Sequence, residues 1–227
     1  MDKHKILVWD MPTRVFHWLL ALSFVGGFLT GDSERLRSLH VGFGYTMLGL
    51  LAFRLLWGLA GTRYARFRSF AFGPRRVWSY VKSVLTFSPQ HYVGHNPAGS
   101  WAIYAMLGLG LLTGISGYAA YNEIGGEWLG ELHESAANAF LAVVIVHIAG
   151  VIVGSLIHRE NLVRSMWSGY KSGSPGGGIR YKHRAVAVAL VLAVGALWVA
   201  GPESLPTPSL TQLVTTTKGR VGDERHD

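Results

Sequence analysis

LHESAANAFLAVVIVHIAGV, residues 132–151, decides how the rest of the chain is read. It is a long apolar run that carries two histidines, His133 and His147, fourteen residues apart. Fourteen steps of about 100° bring an α-helix almost back to the same face, and fourteen rises of about 1.5 Å set the imidazoles roughly 21 Å apart along the axis. The hydrocarbon core of a bilayer is about 30 Å thick. A helix threaded through it would carry two metal-ligating side chains on one face, near opposite sides of the membrane. Neutral imidazole is the commonest metal ligand. Partners at matching depths on other helices would complete two stacked sites.

The composition agrees with a membrane protein. Of 227 residues, 49% are hydrophobic and 15% charged, against about 25% charged in a typical soluble domain. Glycine, at 29 residues, suits close helix packing, and eight Trp and nine Tyr suit the membrane interfaces. A net charge of +8 would point to nucleic acid in a soluble domain. Here the basic residues gather in particular loops, so the balance reports topology. The absence of cysteine excludes disulfides, thiolate-held iron–sulfur clusters and covalent haem attachment through Cys-x-x-Cys-His. Any haem in this chain is therefore of the non-covalent b type.

Working outward, four more apolar runs emerge, near 15–30, 39–59, 100–120 and 185–201. The expected fold is all-α and transmembrane: a four-helix haem-binding bundle within residues 1–171, a flexible cytoplasmic linker at 172–184, a fifth transmembrane helix at 185–201, and an exposed, disordered tail at 202–227. Arg63, Arg66, Arg68, Arg75, Arg76 and Lys82 lie between spans two and three. Arg159, Arg164, Lys171, Arg180, Lys182 and Arg184 follow span four, whereas the third connection holds only Glu123, Glu127 and Glu131. The positive-inside rule then places the N-terminus in the cytoplasm. Within 70–92, Val77, Trp78, Tyr80, Val81, Val84 and Leu85 recur at near-helical spacing among basic residues, which predicts an amphipathic helix on the cytoplasmic surface.

Orientation assigns each histidine a depth. His17 falls near the cytoplasmic end of span one and His40 near the outer end of span two. His133 is outer and His147 deeper, so depth pairs His40 with His133 and His17 with His147. Each alone reads equally well as a hydrogen-bonding residue between helices, but four ionisable residues in two layers point to function. Two imidazoles per iron leave no open position, which favours electron transfer. A zinc site or a haem-free transporter would use the same histidines. The layers are too far apart for one ion, Glu134 alone offers a further ligand, and the sequence shows no repeat of the transporter kind. Gly26, Gly27, Gly42, Gly44, Gly49, Gly108, Gly110, Gly114 and Gly117 supply room for a cofactor or for helix packing. Arg14 and Arg54 are candidates for pairing with a haem propionate; snorkelling to headgroups is the plain alternative.

Several motifs resemble the bacterial cytochrome b561 family, which includes the cytochrome b subunits of nickel–iron hydrogenases and is related to the gamma subunit of formate dehydrogenase. They are VWDMPTRVFHW (8–18), LHVGFGY (39–45), FRLLWG (53–58), RYARF (63–67), GHNPAG (94–99), LHE (132–134), HIAGV (147–151) and HRENLV (158–163). The resemblance implies a four-helix core binding two b haems in the bacterial inner membrane. His17 and His147 would serve the inner haem, and His40 and His133 the outer one. It further implies electron transfer between a periplasmic partner, hydrogenase or cytochrome c, and the quinone pool, as a quinone/quinol oxidoreductase component. By analogy with the formate dehydrogenase subunit, Asn96 would lie near bound quinone, and His95 is a candidate to accept or relay its proton. An alternative is a haem-containing anchor that docks a periplasmic oxidoreductase through the acidic 123–131 loop and the tail. Self-association is a further expectation; nucleic-acid binding is not expected.

Overall fold

The computed structural model describes residues 4–201 except 87 and 89. Seven α-helices, two short 3₁₀ helices and one two-stranded ribbon make up the regular structure of the described residues. Helix α1, Met11–Thr30, starts where the Asp10 carboxylate accepts the Thr13 N–H at 2.8 Å, with proline in the first turn, the position where a missing N–H costs least. Helix α2, Arg37–Ala60, returns along it. Helix α3, Pro74–Leu85, is the short amphipathic element expected within 70–92; it buries Tyr80 and exposes Trp78 and Leu85.

Helix α4, Pro97–Tyr121, is capped by Asn96, whose side-chain oxygen accepts the Gly99 N–H at 2.7 Å. Helix α5, Trp128–His158, ends at Arg159 in the left-handed region (φ 50°). Helix α6, Leu162–Ser168, is capped by Asn161 and closed by Gly169 (φ 89°). Helix α7 spans Arg184–Ala200.

α1, α2, α4 and α5 are long and apolar enough to cross a membrane. They pack as two antiparallel pairs, α1 on α2 and α4 on α5, joined through α2 and α4. Large apolar side chains such as Leu56, Ile145, Val146 and Leu156 point outward, as a lipid-facing surface requires. At 17 residues, α7 is about 25 Å long, short of a 30 Å core when upright. It lies against α1 and α2, where Leu190 joins Phe16 and Leu50 in a buried cluster. The Trp198 indole donates to Thr46 Oγ1 at 3.0 Å.

At one end of the bundle the N-terminal strand meets the segment that follows α6. Strand β1, His4–Leu7, pairs antiparallel with β2, Tyr170–Gly173. The ribbon continues as the Val8 and Trp9 N–H groups both donate to the Gly169 carbonyl. The 172–184 stretch, expected as a flexible linker, is stitched to this ribbon. The Ile179 N–H donates to the Leu7 carbonyl at 2.7 Å, Tyr64 Oη donates to Gly177, and the Met11 N–H donates to Lys182. Backbone groups buried beside a helix bundle must find partners, and here β1, Tyr64 and the start of α1 supply them. The expected disordered tail, 202–227, lies outside the described residues.

Candidate functional site

The four histidines occupy two levels, and the levels are built on seven-residue steps. α1 carries His17 and Phe24, with Gly31 at its C-cap; α2 carries His40, Met47 and Arg54; α5 carries His133, Phe140 and His147. Seven residues fall about 20° short of two full turns, so each series stays on one face. The chain directions then stack three layers: His40 with His133 at the far end, Phe24 with Met47 and Phe140 in the middle, and His17 with His147 and Arg54 toward the ribbon end.

At the far level, the His40 and His133 rings stand 5.8 Å apart, centroid to centroid. An imidazole–metal bond is about 2.0 Å and ring centre to nitrogen adds roughly 1 Å per ring, so roughly 6 Å is the spacing for one metal atom between two imidazoles. Each ring is anchored by its Nδ1. His40 Nδ1 lies 2.9 Å from the Gly27 carbonyl and His133 Nδ1 lies 2.8 Å from the Thr113 carbonyl. A carbonyl only accepts, so Nδ1 carries the proton on both rings. Both Nε2 lone pairs are left for a ligand, the usual preparation of a metal-binding imidazole. Gly117 makes room for the His133 ring: a Cβ there would sit 2.6 Å from Nδ1 and 2.7 Å from Cε1.

In the middle layer, Phe24 of α1 and Phe140 of α5 meet with ring centroids 4.6 Å apart. Met47 completes the buried cluster, flanked by Leu20, Met106, Leu109 and Val144. Gly110 on α4 admits Phe140, since a Cβ there would lie 3.2 Å from its ring. Sequence reasoning passed over this layer. The signal was present, since Phe140 stands midway between His133 and His147, but nothing in the type of an apolar residue separates it from its lipid-facing neighbours.

The ribbon-end level is arranged differently. His17 and His147 lie close enough to interact electrostatically. The His17 Nδ1 is buried with no hydrogen-bond partner, and its ring meets Trp18 edge-on at 5.1 Å. Beside them Arg54, only 3% exposed, lies over the Phe67 ring at 4.8 Å and has an unpartnered, buried Nη1. A buried guanidinium N–H without a partner is costly, and a negative group placed there would relieve it. The Asp10 carboxylate, which senses Arg54, is already committed to Thr13, the Trp57 indole (3.1 Å) and the Thr62 hydroxyl (2.6 Å).

Arg14 goes elsewhere. Its guanidinium donates to the carbonyls of Met166 and Trp167, where it closes the end of α6. Asn96 uses one lone pair of its side-chain oxygen on the α4 cap, and its amide N–H groups remain as donors. His95 is enclosed between Trp9 (4.7 Å) and Phe70 (4.3 Å), with its Nδ1 buried and unpartnered. Burial, and then the charges of Arg54, Lys171 and His147, push its pKa down to about 3, so it is neutral at physiological pH. Among the described residues no cluster of three or more His, Cys, Asp or Glu side chains forms a metal site by itself. The four candidate imidazoles fall in two pairs, a donor set that would suit a metal bringing its other ligands with it.

Comparison with known proteins is consistent with this geometry. The family model described as prokaryotic cytochrome b561 matches residues 8–169. A protein of Rhizobium leguminosarum bv. viciae, named "Probable Ni/Fe-hydrogenase B-type cytochrome subunit", is 25% identical over 214 residues, which cover 74% of this chain and 90% of that one. A protein of Cupriavidus necator with the same name is 26% identical, covering 73% of this chain and 86% of its own. The Escherichia coli K12 "Probable Ni/Fe-hydrogenase 1 B-type cytochrome subunit" is 26% identical over 141 residues, covering 51% and 60%. No solved structure matches.

Proposed function

The chain belongs to the prokaryotic cytochrome b561 family, a membrane b-type cytochrome of electron transfer, and from that premise we propose a two-haem electron carrier between a hydrogenase and quinone. The relatives are named as hydrogenase subunits, and the same partner is proposed here, docked at the far end of the bundle in the periplasm. His40 and His133 would hold one haem, and His17 and His147 the other. A b haem supplies reversible one-electron chemistry, and two imidazoles close its iron to other ligands. The observation that carries the reading is the far pair: two rings 5.8 Å apart, each with its Nδ1 proton given to a backbone carbonyl.

The rest follows from what the side chains do. The backbone carbonyls of Gly27 and Thr113 orient the two ligands. Phe24, Met47 and Phe140 keep water out between the levels. Arg54 supplies the buried positive charge that a propionate would neutralise. Asn96 and His95 would face quinone at the ribbon end, which the positive-inside rule puts in the cytoplasm. The test is the haem-to-protein ratio of the purified chain with its reduced-minus-oxidised spectrum, repeated for His40→Ala and His133→Ala. Two low-spin b haems in the wild type and one in either variant are expected. A single haem in the wild type, or loss of both in a variant that stays folded, refutes the pairing.

A further inference from the structure

Below His95, at the ribbon end, a second group of titratable side chains gathers that the haem reading does not use. Glu160, in the turn after α5, is its centre. Its Oε1 accepts the Ser172 N–H at 2.9 Å, and its Oε2 lies 3.5 Å from Lys171 Nζ and 4.0 Å from His91 Nε2. Lys171 is 7% exposed and also reaches the Tyr92 carbonyl at 3.4 Å. The His91 ring meets the His158 ring at 5.6 Å, and His91 is half-exposed. Three separate connections therefore converge: the segment before α4 brings His91, the end of α5 brings His158 and Glu160, and β2 brings Lys171. The ribbon is what holds β2 there.

Burying an ammonium and a carboxylate together costs more than their attraction returns unless geometry or function justifies it. A surface ion pair would have closed this corner as well. Lys171 is depressed below its ordinary value by burial, with Glu160 pulling it back. Its charge is felt by His95, so the cluster adjoins the enclosed imidazole. His95 is neutral, with one N–H and one lone pair. It can give a proton at one nitrogen while taking one at the other, without ever storing charge.

We propose that Glu160, Lys171, His91 and His158 form a proton-loading cluster that passes protons from water at the ribbon end to His95, and through it to a quinone bound beside Asn96 and Arg54. This rests on the quinone reading given above. Reducing a quinone to a quinol takes two electrons, delivered singly by the b-type cytochrome, and two protons. The cluster supplies the protons, and in the reverse reaction it receives them. Arg54 from α2 and His147 from α5 act on His95 at the inner side of the relay, and Tyr92, whose carbonyl takes the Lys171 ammonium, stacks edge-on with Tyr80 at 5.8 Å. His91, half-exposed where Glu160 and Lys171 are largely covered, is the entry.

The experiment uses the full-length holoprotein in lipid nanodiscs, with haem reduction by decylubiquinol followed by stopped flow in wild type, Glu160→Gln and Lys171→Met. Haem content and the reduced-minus-oxidised spectrum are read alongside. The expected result is unchanged haem content and spectrum, a quinol-driven rate at least tenfold lower, and recovery on adding millimolar imidazole as a mobile proton carrier. Wild-type rates in Glu160→Gln overturn the relay. Should Glu160→Gln fail to fold, the double change His91→Asn and His158→Asn, at the water-facing side, is expected to slow the same rate at least threefold; a wild-type rate in it overturns the relay. Wild-type protein that dithionite reduces and quinol does not would overturn the quinone reading itself, and the relay with it.

Discussion

Gly117 is the most exposed point of the two-level reading. Gly117→Ala puts a methyl group 2.6 Å from His133 Nδ1 and 2.7 Å from Cε1. Carbon atoms rest at about 3.5 Å or more, so the ring must retreat by roughly 0.8 Å. Its bond to Thr113, now 2.8 Å, would stretch beyond hydrogen-bonding range. The lost bond costs about 1 kcal/mol and the displaced rotamer about 0.5–1.5 kcal/mol. Together they predict a tenfold to seventyfold fall in affinity for the far haem, inside the roughly 10–100-fold span typical of disturbed ligand supports. The assay is haem titration of the apoprotein with a redox titration of the loaded form. Expected are loss or a shifted potential of one haem, with the other unchanged. Gly108→Ala is the control, because a Cβ there meets nothing within 4 Å. Two haems with unshifted potentials in Gly117→Ala, or equal damage from Gly108→Ala, would refute the reasoning.

Two further predictions concern the ribbon end. Asn96→Asp keeps the oxygen that caps α4 and removes the amide N–H groups; stability should hold while quinol-driven haem reduction falls at least fivefold, and an unchanged rate would remove Asn96 from the quinone site. His95 resists protonation down to about pH 3 in the folded chain, whereas an unfolded histidine takes a proton near pH 6.5. The unfolded state therefore binds more protons below that point, so this contribution to stability falls by about 1.4 kcal/mol per pH unit on acidification. His95→Gln should flatten the fall in melting temperature between pH 6.5 and 5, and parallel curves for the two proteins would show that His95 is not its source.

The histidine pairs were legible because two strong regularities met: a helical period that carries fourteen residues back to one face, and a distribution of Arg and Lys that orders the spans. Depth then pairs His40 with His133 without any contact information. The caps were half-legible. Asn96 before Pro97 marks a helix start, but only the structure shows that its oxygen caps α4 through the Gly99 N–H. Arg14 was beyond reach, because its carbonyl partners lie more than 150 residues away. So was the ribbon: HKIL and YKSG are too short to show alternation, and only their pairing across the whole chain makes them strands. That same long-range closure hid the Glu160 cluster, whose members come from three connections that sequence order keeps apart.

The seven-residue layering has one more consequence, and it concerns voltage. The histidines of α5 stand roughly 21 Å apart along the axis of a helix that crosses about 30 Å of hydrocarbon. An electron moved from one level to the other therefore traverses roughly two thirds of the membrane field. A full crossing exchanges about 2.3 kcal/mol per 100 mV, so this step exchanges about 1.6 kcal/mol. With the apolar layer of Phe24, Met47 and Phe140 excluding any compensating ion from the path, the transfer is electrically naked. A charged membrane would then shift the redox balance between the two proposed levels by about 70 mV for every 100 mV applied, so a protein passing electrons between them would also report the potential across the bilayer.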